Sequence, residues 1–325
     1  AQDIANRLLP GLGYALMLLI VFGGLAFNIG NLAGAGLGMN VMFNIDPVHG
    51  AVISCFLAIG VFIFKEATAA MDLVSKILGL LMIALTLYVA FRSQPPLALA
   101  LKESFLPVKI DLQSILTIVG GTVGGYITFA GAHRLLDAGI KGKGSVKAVN
   151  RSAITAITLA SIMRILLFLG ALGVVMSGAR LDASNPAASV FKIAAGEIGY
   201  RLFGIVLWSA AITSVIGSAY TSISFLRNFS PWLFRYQRYV TIAFILLSAA
   251  VFVIIGQPVK TLLLAGALNG MILPIALAIM LIAAHNSRIM GDYKHPRWMS
   301  VLAILVILTM TYIGIGSMIK YVGNL

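Results

Sequence analysis

Nine long apolar runs, almost free of charged residues, recur along this chain. Their limits are near 10–42, 47–64, 73–91, 112–132, 152–178, 202–226, 239–259, 261–285 and 298–319. About 20 apolar residues span a bilayer as a helix, whereas a strand of a membrane barrel needs only about 10. The runs therefore predict an all-α polytopic membrane protein, with a single transmembrane domain over residues 1–325 and about nine transmembrane helices.

The composition argues against the soluble classes of protein. Only 10% of the 325 residues are charged and the mean hydropathy is +1.01, whereas about 25% are charged in a typical soluble domain. The sequence has no paired carboxylates, nucleophile elbow or metalloprotease motif, and GKGS at 142–145 lacks the rest of a phosphate-binding loop. We therefore expect no enzymatic activity, no cofactor and no nucleotide.

The net charge of +13 is best interpreted as a topology signal. With the runs above as spans, 14 of the 23 Lys and Arg residues fall on one face of the membrane and 8 on the other, with Arg164 inside a run. Cytoplasmic loops carry the excess of basic residues. We therefore expect a multi-pass protein of the cell membrane, with residue 1 cytoplasmic, the C-terminus outside, the lipid bilayer as partner and no nucleic acid.

The fourth run is rich in glycine. Gly120, Gly121, Gly124, Gly125 and Gly131 fall within it, and each costs about 1 kcal/mol relative to alanine inside a helix. Such a run predicts a broken helix near 120–126, where a transporter exposes backbone groups to its solute. Close packing between helices is the alternative explanation. The residues predicted to line the site are Gly121, Thr122, Gly124, Gly125 and Tyr126.

Asparagines supply further candidates for a substrate pathway. Asn28 and Asn31, three apart on one helix face, either line a pathway or bond between helices. Gly266 and Asn269, in the eighth run, are further candidates for the substrate-binding site. That run also holds Pro274, so we expect this helix to be irregular.

Charged residues within or beside the runs are candidates for gating. Arg164 is either a gating residue or a partner of backbone carbonyls. His133, Arg134 and Asp137 follow the fourth run and form either an inner gate with a proton relay or an interfacial group that reaches toward water.

The order of these features resembles the NRAMP family of divalent-metal transporters, which share the leucine-transporter fold. IVGGTVGGYITFAGA resembles the family's sixth helix, whose pattern runs I-I-G-A-T-x-M-P-H-N. LFGIVLWSAAITSVIGSAY is similar to the eighth helix, LLLAGALNGMILPIAL to the tenth and NVMFNIDP to the end of the third. The resemblance covers almost the whole chain. More specifically, the sequence resembles a bacterial branch of uncharacterised membrane proteins related to this family, which implies a bacterial plasma membrane.

The resemblance also implies departures from the family's ion site. The chain begins at the family's third helix, so we expect the first two helices, with their D-P-G-N motif, to be missing. The sixth-helix Met ligand corresponds to Gly124, and the Pro and His after it to Gly125 and Tyr126. Gly121 retains the position of a backbone-carbonyl metal ligand. The tenth-helix Gln corresponds to Gly266, and the third-helix Asp and Glu correspond to Asn28 and Asn31.

The resemblance implies a secondary active transporter of a divalent cation, working by alternating access around the broken helix. The alternative on the same fold is a carrier of a small organic solute, an amino-acid-like anion. The sequence does not identify the coupling ion, a proton or sodium. A membrane scaffold or an intramembrane enzyme at His133 and Asp137 is disfavoured, because glycine-broken spans are costly without a cavity to serve.

Overall fold

The described part of the chain is helical and contains no strand. The computed structural model describes residues 2–123, 135, 138–226 and 230–322. Its helices are α1 (Gln2–Leu8), α2 (Leu12–Phe43), α3 (Pro47–Ile63), α4 (Lys65–Arg92), α5 (Leu97–Phe105), α6 (Leu112–Val123), a 3-10 turn (Lys143–Ser145), α7 (Val146–Met176), α8 (Pro186–Leu226), α9 (Pro231–Arg235), α10 (Gln237–Ile255), α11 (Pro258–His285), α12 (Ser287–Met290) and α13 (Arg297–Val322). The predicted all-α class is confirmed.

Six of these helices are long and apolar enough to cross a bilayer, namely α2, α7, α8, α10, α11 and α13. A seventh span is possible in the second half of α4 with α5, which are bent by 104° at their junction. The helices α3 and α6 are apolar but shorter. These elements make the chain a multi-pass membrane protein, whereas the count of nine spans stays a prediction.

Two helices differ from what the apolar runs suggested. The sixth run begins at 202, but α8 starts at Pro186 and contains a break at Gly196, whose φ of +66° favours glycine. Phe191 and Phe203 stack across this break with ring centroids 4.3 Å apart. The eighth run was expected to be irregular; α11 is assigned as one helix that continues through Pro274 without a break. Buried neighbours hold the helix together there, as tertiary packing commonly does for proline in a membrane helix.

The chain forms two compact units, each built from segments that are distant in sequence. One unit contains Ala1–Asn31, Asp111–Gly139 and Val215–Leu325, and the other contains Leu32–Ile110 and Ile140–Ser214. The first is called the α6–α11 unit below, and the second the α3–α7 unit. The single transmembrane domain predicted from sequence stays a prediction.

In the α6–α11 unit, glycines allow two helix backbones to meet. Gly120 of α6 is buried against α11, where an ideally placed Cβ on Gly120 would overlap the carbonyl oxygen of Gly266 and stand 2.7 Å from the Cα of Gly270. Leu116 extends the contact into an apolar core. The core is formed by Leu116, Leu273, Met310 and Ile313 from α6, α11 and α13. In a bilayer, such small-residue contacts replace the hydrophobic effect as a source of helix association.

In the α3–α7 unit, a tryptophan joins two helices. The Trp208 indole nitrogen donates to the Ser54 hydroxyl at 3.0 Å, linking α8 to α3. Gly38 of α2 provides the space, because a Cβ there would stand 2.7 Å from the Trp208 Cβ. Asp46 starts α3 by accepting from the N–H of Val48 at 2.9 Å.

The neighbours Gly120 and Gly121 provide a matched test of the contact between α6 and α11. We expect Gly120→Ala to destabilise the protein by about 1–3 kcal/mol or more, because the added methyl group meets rigid backbone of α11. Gly121→Ala is the control, since a Cβ at Gly121 meets no neighbouring helix within 4 Å among the described residues. Thermal unfolding of the two purified variants in detergent measures the difference. Equal melting temperatures of the two variants would contradict the close contact of Gly120 with α11.

Candidate functional site

The helix α11 presents two different faces inside the α6–α11 unit. Gly266 faces α6, where its Cβ position lies 2.8 Å from the Thr117 carbonyl oxygen and 3.6 Å from the Gly121 nitrogen. Ala265 faces α2, where its Cβ lies 2.9 Å from the Cβ position of Gly30. The structure therefore brings together two residues predicted for the site, Gly121 and Gly266, and places α2 on the adjacent face of α11.

Asn269 ties α11 to α2 and is completely buried. Its Nδ2 donates to the Ala265 carbonyl oxygen at 3.0 Å within α11 and to the Gly23 carbonyl oxygen at 3.3 Å in α2. Its Oδ1 has no hydrogen-bond partner among the residues that the structure describes. The predicted binding residue thus uses its donor for packing and keeps an acceptor oxygen.

The last turn of α6 is anchored on one side and open on the other. Gly120 is locked against α11, whereas Gly121 and Thr122 are exposed. The Thr122 hydroxyl donates to the carbonyl oxygen of Ile118 in its own helix. The predicted break and the candidates Gly124, Gly125 and Tyr126 lie outside the described residues and stay predictions.

Asn28 is the centre of a buried polar network that joins three helices. Its Nδ2 donates to the Ser248 hydroxyl of α10 at 3.1 Å, and its Oδ1 accepts from the Ser218 hydroxyl of α8 at 2.9 Å. The Ser248 hydroxyl in turn donates to the Phe244 carbonyl oxygen at 2.8 Å. Because Nδ2 donates to one hydroxyl and Oδ1 accepts from the other, the network fixes the orientation of the Asn28 amide without any charge.

Asn31 lies one helical turn after Asn28 and differs from it. Asn31 is only half-buried, and its Nδ2 has no hydrogen-bond partner within the described ranges. A buried amide donor normally has a partner, so this atom differs from the amide of Asn28. Of the two asparagines that the sequence singled out, Asn28 bonds between helices and Asn31 retains an unused donor.

The four charged candidates stay predictions. Arg164 lies exposed on α7, in the α3–α7 unit. His133, Arg134 and Asp137 lie outside the described residues. Within the part of the chain that is described, no group of three or more His, Cys, Asp or Glu side chains is placed to hold a metal ion. The polar groups around Asn28 and Asn269 are amides, hydroxyls and backbone carbonyls.

Sequence reasoning overlooked Ser248. Its only signal is a single serine in the middle of α10, a helix of 19 mostly apolar residues. The sixth run contains several hydroxyl side chains, and most of those described bond their own helix. Ser222 donates to the Ser218 carbonyl oxygen at 2.8 Å and Ser224 to the Thr221 carbonyl oxygen at 2.6 Å. Of this group, Ser218 is the one that reaches Asn28.

The network predicts energetic coupling between Asn28 and Ser248. We expect Asn28→Ala to cost about 1–3 kcal/mol of stability, because it removes two buried hydrogen bonds worth about 0.5–1.5 kcal/mol each. Ser248→Ala and the double variant complete a thermodynamic cycle, with an expected coupling energy of about 0.5 kcal/mol or more. The control is Ser222→Ala, whose hydroxyl donates within α8. Strict additivity of the Asn28 and Ser248 effects in chemical denaturation would contradict the network.

Comparison with known proteins identifies the family. The profile of the Nramp family, described as natural resistance-associated macrophage protein-like, matches residues 1–320. An uncharacterized membrane protein of Bacillus subtilis is 56% identical over 317 residues, which cover 98% of this chain and 78% of the relative. The divalent metal cation transporter MntH of Vibrio campbellii is 22% identical, over 87% of this chain and 68% of the relative.

A solved structure shows the fold. A crystal structure of an Eremococcus coleocola manganese transporter mutant superposes with a TM-score of 0.65 at 18% identity, and covers 97% of this chain and 73% of that one. The helical composition, the order of apolar spans and the family profile agree with this likeness. The chain therefore belongs to the Nramp family and has the leucine-transporter-like fold of its transporters.

Proposed function

We propose that this protein is a secondary active transporter that moves a divalent cation across the membrane by alternating access. The observation that carries the proposal is family membership, combined with uncharged contacts of α11 to α6 at Gly266 and to α2 at Asn269. Family and fold are those of transporters, and nothing in the sequence motifs points to an enzyme. We propose that the membrane face with the excess of Lys and Arg residues is cytoplasmic and that the first residue lies on that side.

The mechanical requirement of alternating access is an element that pivots about a fixed point. Gly120 offers the fixed point, because its backbone lies directly on Gly266 and Gly270. Gly121, the next residue, has open space on the side where a Cβ would be. We therefore propose that α6 pivots about Gly120 during alternating access.

The chemical class of the proposed cation follows from the ligand atoms of the residues predicted to line the substrate site. The predicted site residues contribute amide, hydroxyl and carbonyl oxygens, and they include no sulfur and no carboxylate. Oxygen ligands suit Mg²⁺ and Mn²⁺, whereas thiolate and thioether ligands suit softer metals. We therefore propose a preference for Mn²⁺ or Mg²⁺, with the Gly121 carbonyl oxygen among the ligands. Coupling to protons or sodium would be measured as a dependence of cation uptake on a proton or sodium gradient.

One observation favours the alternative substrate class. The Nδ2 of Asn31, which has no hydrogen-bond partner among the described residues, is a donor and is suited to a carboxylate rather than to a cation. An amino-acid-like anion on the same fold is therefore the second candidate.

Transport assays distinguish a divalent cation from an amino-acid-like anion as the substrate. We expect proteoliposomes of the native protein to take up Mn²⁺ or Mg²⁺, and Gly121→Leu to reduce this uptake about tenfold or more, equivalent to about 1.4 kcal/mol. The physical reason is that leucine fills the space beside the end of α6. The control is Gly79→Leu in α4, since a Cβ at Gly79 also has nothing within 4 Å.

The outcomes separate the proposals. Saturable uptake of an amino-acid-like anion, unaffected by divalent cations, would replace the cation proposal with the alternative. Tyr126→Ala tests the part of the predicted site that lies beyond α6, and unchanged uptake would remove Tyr126 from the site. Absence of flux for both substrate classes would contradict the transporter proposal.

A further inference from the structure

A cleft of about 720 Å³ lies where α11 ends and α13 begins, away from the candidate substrate site. One part of its wall is apolar and is formed by Leu281, Ile282 and Ile304. Another part is polar and includes His285, Arg288 and Ser300. The cleft thus combines an apolar surface with a cationic end, at the termini of two helices that are able to cross a bilayer.

The polar part of the cleft is held in place by hydrogen bonds. His285 places its Nδ1 2.9 Å from the Leu281 carbonyl oxygen in α11 and its Nε2 3.1 Å from the Ser300 hydroxyl in α13. With the proton on Nδ1, the ring donates to the carbonyl and accepts from the hydroxyl. The His285 ring also meets the edge of His295 at a centroid distance of 5.4 Å. His285 therefore braces the two helices that form the walls.

The segment that follows His285 carries a net positive charge. Residues 286–297 contain Arg288, Lys294 and Arg297 and a single acid, Asp292. None of the ion pairs found in the described ranges involves Arg288. A guanidinium group binds phosphate through two parallel hydrogen bonds, which makes it the most suitable side chain for this anion.

We propose that this cleft binds an anionic phospholipid, with Arg288 on the headgroup phosphate and an acyl chain along Ile282 and Ile304. The apolar wall favours a lipid over a soluble phosphate, because a free anion gains nothing from isoleucine and leucine. Trp298 at the start of α13 is 64% exposed, as is common for tryptophan at the boundary between lipid and water. Basic pockets between helices on the cytoplasmic side suit anionic headgroups.

Native mass spectrometry of the detergent-solubilised protein tests this lipid site. We expect retention of added phosphatidylglycerol over phosphatidylcholine by about fivefold, the selectivity that one well-placed arginine provides. Arg288→Gln is expected to remove this preference. The control is Arg235→Gln in α9, an exposed arginine assigned to the same basic face but outside the cleft. Unchanged melting temperatures of both variants establish that folding is preserved.

Three results would overturn the proposal. The first is equal retention of the two lipids by the native protein. The second is an equal loss of phosphatidylglycerol in the Arg288→Gln and Arg235→Gln variants, which would indicate a general attraction by basic surface. The third is full displacement of the lipid by an equal concentration of inorganic phosphate, which would indicate a soluble anion site. Because none of these measurements uses transport, the lipid site stands or falls independently of the proposed function.

Discussion

The direct contact of two helix backbones, α6 on α11, is the constraint on which the candidate site depends. Gly120 meets Gly266 and Gly270 so closely that no side chain fits between them. Lipid tails provide no hydrophobic drive for helices to associate, so close packing of small residues must do so. The same contact brings Gly121 beside Gly266 and places the end of α6 against a helix that also binds α2.

The second constraint is the cost of unpaired polar groups in a water-free interior. Asn28 avoids that cost through Ser218 and Ser248 on two other helices. Asn269 uses its donor in the same way but leaves Oδ1 without a partner in the described structure, and Asn31 leaves Nδ2. The network around Asn28 thus joins three helices, whereas these two buried atoms have no hydrogen-bond partner among the described residues.

Much of the fold was predictable, and the candidate site was predictable only in part. The all-α class, the family and the proximity of Gly121 to Gly266 followed from apolar runs and from the order of motifs. The continuity of α11 through Pro274 did not, because neighbouring helices rather than local sequence decide whether a proline disrupts a membrane helix. Ser248 was missed because a lone serine in an apolar helix has no local signature of its partner.

By itself, the sequence determined the solvent in which this chain folds, since runs of about 20 apolar residues without charge are stable only in a bilayer. It also determined the family, because the motifs follow in the family's order. Only the tertiary structure decided which polar atoms are partnered. Asn28 lies 190 positions from Ser218 and 220 from Ser248. Contacts over such separations depend on how helices pack in space, which no local pattern of residues encodes.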